Sequence, residues 1–187
     1  EADTVVFVDT GVEGWQTLAD GVDPDAQLVL VGPNEDGMRV MADTLAGRDD
    51  VQSVHVLGHG GVGSFTLGSA SVDADTLESY ASELGIIEAA LTADADLLLY
   101  GCYVGADGAG TAFVDALADA TAADVAASTD ATGAADLGGD WTLEVATGDI
   151  HADHSLDSAA LSDFSGVLAL PPSDPYTSTP GSGYTGA

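Results

Sequence analysis

Val54-His55-Val56-Leu57-Gly58-His59-Gly60-Gly61 and, about forty residues later, Leu97-Leu98-Leu99-Tyr100-Gly101-Cys102 are the stretches that decide the fold. Each is a short apolar run, rich in Val or Leu, that stops abruptly at glycine. Such runs read as strands buried on both faces, which is the pattern of a parallel sheet under helices. Each run also places one chemically capable side chain just past its end: His59 after the first, Cys102 after the second. Parallel α/β sheets bind and act at the carboxyl ends of their strands. A thiol and an imidazole on one sheet edge form the pair that nucleophilic catalysis uses.

Working outward, Thr4–Asp9 reads as strand one, Gln27–Val31 as strand two, Val51–Leu57 as strand three, Asp96–Tyr100 as strand four and Asp124–Ala127 as strand five. Between them, Glu35–Leu45 carries Met38, Met41, Ala42 and Leu45 at helical spacing, and Gly108–Ala120 carries Phe113, Leu117 and Ala120 on one face. Trp15–Leu18 begins a short helical turn. Ala74–Leu91 is expected to be the longest helix, weakened by Gly85. Ser64–Val72 reads as a small hairpin turning at Gly68. Trp141–Ala146 alternates like an added strand, with Asp149–Ala152 as its pairing partner. Strand–helix alternation predicts a doubly wound, mainly parallel α/β sheet in the order 2-1-3-4-5. Residues 1–168 form that domain. Residues 169–187 (ALPPSDPYTSTPGSGYTGA) are too poor in apolar residues for a core and read as an extended arm or linker.

The charge is extreme: 32 acidic residues against 2 basic ones give −30, and Arg39 and Arg48 are the only cations. Such a surface repels nucleic acid and anionic lipid, so neither is an expected partner. It suits a salty medium in which counterions screen the self-repulsion. The carboxylate-rich loops Asp23-Pro24-Asp25, Asp94-Ala95-Asp96 and Asp149–Asp157 could take calcium, although none follows an EF-hand or glycine-rich calcium repeat. No cofactor is expected. The lone cysteine excludes an internal disulfide, and Cys102 with His55, His59, His151 and His154 matches no zinc spacing. His151 and His154 read as a surface pair, and His55, inside its strand, reads as structural. No run is long enough to span a membrane. Glu1 in place of Met, with no leader behind it, suggests a processed or excised domain.

Phe7-Val8-Asp9-Thr10-Gly11, Val56-Leu57-Gly58-His59-Gly60, Leu99-Tyr100-Gly101-Cys102, Asp124–Gly133 (DVAASTDATG) and Gly138-Gly139-Asp140-Trp141-Thr142-Leu143-Glu144 come in this order. Together, from about Val5 to Ile150, they closely resemble an uncharacterised domain family near the amino termini of very large bacterial surface proteins. Those proteins commonly carry cadherin-like or other adhesin repeats. That family in turn resembles the caspase and gingipain clan of cysteine peptidases, in which a His-Gly follows the third core strand and a Cys the fourth. The resemblance implies a caspase-like fold, with His59 as base and Cys102 as nucleophile. The amides of Gly60 and Cys102 would form the oxyanion hole, and Asp9 and Asp130 would select a basic residue before the scissile bond. Caspases have a polar or charged signature around their cysteine, whereas here Tyr100-Gly101 precede it and Tyr103-Val104-Gly105 follow.

Bland alternatives stand beside these roles. His59 could be a loop histidine bonded to backbone, Cys102 a small buried hydrophobe, and Asp9 a turn cap for Thr10-Gly11. Cleavage of its own chain after Arg would require Arg39 or Arg48, in or beside a helix, so a basic specificity would act on other chains. Two functions follow. One is an extracellular cysteine peptidase domain of a cell-surface protein, with protein or peptide substrates. The other is a non-catalytic subunit of a surface filament on the same fold, partnered by copies of itself. In that case the C-terminal arm docks on a neighbour through Tyr176 and Tyr184.

Overall fold

Alternate residues of strand β1 (Thr4–Asp9) face opposite cores, and this explains its unbroken apolar run. Val5 and Phe7 join one buried cluster, and Val6 and Val8 join a second. The computed structural model describes residues 2–153 and 155–170. Its central sheet takes β2 (Gln27–Val31), β1, β3 (Val51–Leu57), β7 (Leu91–Tyr100) and β8 (Asp124–Ala127) in parallel, and a two-residue antiparallel strand, β9 (Val145–Ala146), closes the edge. The chain is thus α/β with a mainly parallel sheet between helices, and its five parallel strands follow the order expected from the sequence.

One face of the sheet is covered by α2 (Gly37–Leu45), α3 (Ala81–Ala90) and α4 (Asp107–Thr121). Their Met38, Met41, Leu45, Leu84, Ile87, Phe113 and Leu117 pack with Phe7, Val54, Val56, Leu97 and Leu99. Asp36 starts α2 by accepting hydrogen bonds from the Met38 and Arg39 amides, satisfying donors that a helix terminus leaves unpaired. The other face packs α1 (Trp15–Asp20) through Leu18, together with Leu156, Phe164 and Leu168 from the last part of the chain. There Trp141 fills space between Tyr100 and Phe164, with ring centroids 6.2 and 5.6 Å away. A short helix, α5 (Ser158–Asp163), begins at Asp157, whose carboxylate accepts from the Ala159 amide.

Several local expectations are corrected. Ala74–Leu91 is not one helix, nor is it the longest. Asp73 accepts hydrogen bonds from Asp75 and Thr76 in a tight turn, a 3-10 turn follows at Leu77–Tyr80, and α3 stops where Leu91 enters β7. The longest helix is α4. Only Val145–Ala146 of the expected strand at 141–146 joins the sheet. Asp140 holds the Thr142 amide, and Trp141 turns onto the apolar face. Asp149–Ala152 forms no strand, because the amides of His151 and Ala152 both donate to buried Asp96. No helix among the described residues is long and apolar enough to cross a membrane.

Candidate functional site

The expected hairpin is the outer part of a three-stranded antiparallel sheet: β4 (His59–Gly61), β5 (Ser64–Leu67) and β6 (Ala70–Asp73). His59 is therefore a strand residue, paired with Thr66, and not part of a free loop. Gly68 turns the hairpin with φ of 60°, a conformation that glycine adopts without a Cβ clash. Its amide donates to Asp9 Oδ2 at 2.9 Å, while the Gly11 amide donates to Asp9 Oδ1 at 2.7 Å. The same Oδ2 lies 3.9 Å from His59 Nδ1. Asp9 is buried and turned inward, joining the end of β1 to the hairpin and facing the imidazole. His59 keeps 18% of its side chain exposed.

The turns after β3 and β7 touch directly. A Cβ on Gly60 would stand 2.5 Å from the Cys102 carbonyl oxygen and 2.6 Å from its nitrogen, so only glycine permits this approach. The contact aligns two amides on one acceptor. Gly60 N donates to the carbonyl oxygen of Leu168 at 2.8 Å, and Cys102 N donates to the same oxygen at 3.0 Å. Two preorganised backbone donors around one carbonyl oxygen form the arrangement that stabilises an oxyanion.

Leu168 arrives in an extended segment. Its amide donates to the Thr132 carbonyl at 2.9 Å, and Ala134 N donates to the Gly166 carbonyl at 2.8 Å. Val167 is thereby bridged antiparallel to Gly133. Beyond Leu168, Ala169 bridges Gly60 and the Leu170 amide donates to the Gly60 carbonyl at 3.3 Å. The expected boundary after residue 168 thus falls inside a paired segment. The rest of the expected arm, with Tyr176 and Tyr184, lies outside the described residues, as does His154.

Cys102 sits beneath this segment, fully buried. Its Sγ accepts from Thr132 N at 3.3 Å and lies 3.6 Å from the Thr132 carbonyl oxygen, the acceptor that also binds the Leu168 amide. Burial pushes the thiol up from its usual value, while hydrogen bonding at Thr132 and Leu168 works in the opposite direction. Tyr103, next in sequence, is held at φ of 62° with its amide on the Asp130 carbonyl at 2.7 Å. Left-handed backbone at a bulky residue is costly, and it concentrates where surroundings fix a special geometry.

Asp130 is exposed, and its Oδ1 accepts from the buried Ser128 hydroxyl at 3.3 Å. It joins Asp140 and Glu144 in a group whose carboxylate oxygens, one from each, lie within 4.8 Å of one another. No other such trio occurs among the described residues. The three acidic loops singled out in the sequence meet elsewhere. Asp23, Asp25, Asp94, Asp96 and Asp153 line a cavity of about 780 Å3 at the amino ends of the parallel strands. His55 is structural: its ring stacks on Tyr100, with centroids 6.1 Å apart, and its Nε2 lies 2.9 Å from Ser155 Oγ.

Sequence reasoning missed Thr132 and Leu168, which complete the site from regions without regular secondary structure. The only trace of Leu168 in the sequence is a short apolar patch, Gly166-Val167-Leu168-Ala169-Leu170, ahead of the prolines. No curated protein and no solved structure matches the chain. A family model described as Domain of unknown function (DUF4347) matches residues 5–168, nearly all of the described residues. This chain, with its paired Gly60 and Cys102 amides, belongs to that family.

Proposed function

We propose that this chain is a caspase-like cysteine peptidase-type domain of an extracellular surface protein. The observation that carries the reading is the pair of amides, Gly60 and Cys102, converging on one peptide carbonyl beside the Cys102 thiol. His59 is the proton carrier, and Asp9, with its Oδ2 3.9 Å from His59 Nδ1, positions it. In such a site the thiolate adds to the carbonyl carbon and the amides hold the developing oxyanion. The imidazolium then protonates the leaving amine. A basic preference, expected from Asp9 and Asp130, would rest on Asp130 alone, because the carboxylate of Asp9 already holds two amides.

The test is hydrolysis of mixed peptides, with cleavage sites read by mass spectrometry, under reducing conditions. Cys102→Ala and His59→Ala should each lower the rate by at least about a hundredfold while circular dichroism stays unchanged. Undiminished turnover by a folded Cys102→Ala protein would end the peptidase reading.

The closure of Cys102 favours a second reading, a non-catalytic, self-assembling surface or filament subunit. In that case residues 171–187 dock on a neighbouring copy. The full chain should then form assemblies in light scattering, and removing residues 171–187 should abolish them.

A further inference from the structure

The geometry points to the Leu168–Ala169 peptide bond as a substrate of this site in its own chain, so that the domain cuts itself there. The inference rests on the peptidase reading above and names a substrate for it. The expectation against self-cleavage concerned bonds after Arg39 and Arg48. Leu168 is a different position, and it is the one that the fold delivers to the site.

Four observations carry the argument. The oxygen in the two-amide cradle belongs to Leu168, so the carbon it polarises is the Leu168 carbonyl carbon. The peptide is held in extended form on both sides of that carbon. Leu168 N and the Gly166 carbonyl pair with residues 132–134, and Leu170 N pairs with Gly60. Adding a strand to an exposed edge is how extended peptides are commonly recognised: main-chain bonds supply affinity and pockets for side chains supply selectivity. Next, the Leu168 side chain is fully buried in the apolar cluster that also contains Leu57, Tyr100 and Cys102. The pocket for the residue before the bond is therefore apolar, so cleavage here would follow Leu168 and not the basic residue expected from Asp9 and Asp130. The thiol is close to the same peptide, since Cys102 Sγ and Leu168 N both lie against the Thr132 carbonyl.

The reaction balances with water alone. Cys102 gives its thiol proton to His59, and its sulfur adds to the Leu168 carbonyl carbon. The carbonyl electron pair moves to the oxygen held by Gly60 and Cys102. Collapse breaks the bond to the Ala169 nitrogen, which takes the proton from His59 and leaves as an amine. Leu168 remains as a thioester on Cys102. A water that loses its proton to His59 adds to the thioester, and its collapse leaves a Leu168 carboxylate and a restored thiol. One peptide bond and one water become one acid and one amine, with nothing oxidised or reduced. The target bond is tethered in place, so the step is intramolecular and draws on proximity.

The experiment incubates the full chain in reducing buffer and follows intact mass. The expected result is a fragment ending at Leu168 and its complement beginning at Ala169, formed at a first-order rate that is independent of protein concentration. Cys102→Ala and Cys102→Ser, shown to be folded by circular dichroism, should remain whole. Leu168→Asp should slow the cut by at least about tenfold, since a charge does not suit an apolar pocket. A chain that stays whole but hydrolyses added peptides in a Cys102-dependent way would overturn this inference and leave the peptidase reading standing. A chain that does neither overturns both. Cleavage at the same bond by folded Cys102→Ala also overturns the inference.

Discussion

The Gly60 amide and the Leu168 carbonyl are 2.8 Å apart, so the middle of β4 is tied to the segment at 166–170. That bond is available only because Gly60 packs against the Gly101-Cys102 peptide, which carries the second donor to the same oxygen. A buried amide must find an acceptor, and here two amides share one. Closure of the domain and the convergence of the two amides on one oxygen are therefore the same event.

Gly60→Ala tests this coupling. Its Cβ would fall 2.5 Å from backbone atoms of Gly101 and Cys102, and backbone cannot rotate away as a side chain can. The strands must part, at a cost of about 2–4 kcal/mol in urea unfolding. Gly85→Ala, where a Cβ meets nothing within 4 Å, should instead be neutral or stabilise α3 by up to about 1 kcal/mol. Equal effects at the two positions would show that the close approach at Gly60 is unimportant.

Asp9 offers a sharper comparison. Asp9→Ala leaves the Gly11 and Gly68 amides without their acceptor and should cost about 2–4 kcal/mol by thermal or urea unfolding. Asp9→Asn keeps one acceptor oxygen and should cost less, yet it removes the negative charge 3.9 Å from His59. If Asp9 positions His59, Asp9→Asn should lower Cys102-dependent hydrolysis more than its small stability loss explains. Activity that tracks stability alone would reduce Asp9 to a turn cap.

Much of this was legible in the sequence, for a physical reason. Strands buried on both faces cannot alternate, so Val5–Val8, Val54–Leu57 and Leu97–Tyr100 announce a parallel sheet and its carboxyl edge. His59, Gly60 and Cys102 were visible because they follow those runs. Leu168 and Thr132 were not, because each is placed by pairing between distant irregular segments. Register of that kind leaves no period in the sequence. The role of Asp9 was blurred for a similar reason. Its partners Gly11 and Gly68 belong to a turn and a hairpin that only the fold brings together.

Alkaline titration should expose the buried phenol. Tyr100, enclosed by apolar neighbours and stacked on His55, has its pKa pushed up to about 12 by desolvation. In the unfolded chain the value is about 10. The folded state therefore holds this proton more tightly, so its contribution is fully present below pH 10 and is lost as pH rises toward 12. The size is about 2–3 kcal/mol. Cys102, also raised by burial, adds to the loss from a lower pH onward. Urea unfolding across pH 8–12 should show a steep decline that Tyr100→Phe flattens above pH 10. An equal slope in that variant would mean that another group drives the alkaline loss.

Salt should act in one direction only. With a net charge of −30 and only Arg39 and Arg48 to offset it, repulsion among carboxylates greatly outnumbers attraction. The attractions that exist are local: Arg48 pairs with Asp50 at 2.9 Å and also bonds Gln27 and the Ala2 carbonyl. The screening length falls to about 3 Å at 1 M salt from about 30 Å at 0.01 M, which removes far more repulsion than attraction. Folding gathers the charges, so the compact state gains most from the screening. The melting temperature should rise by about 5 °C or more between 0.01 and 1 M sodium chloride, with most of the gain below 0.3 M. Arg48→Gln should melt lower at low salt, and its deficit should shrink as salt is added. A melting temperature that stays flat or falls with salt would mean that the acidic surface imposes no strain on this fold.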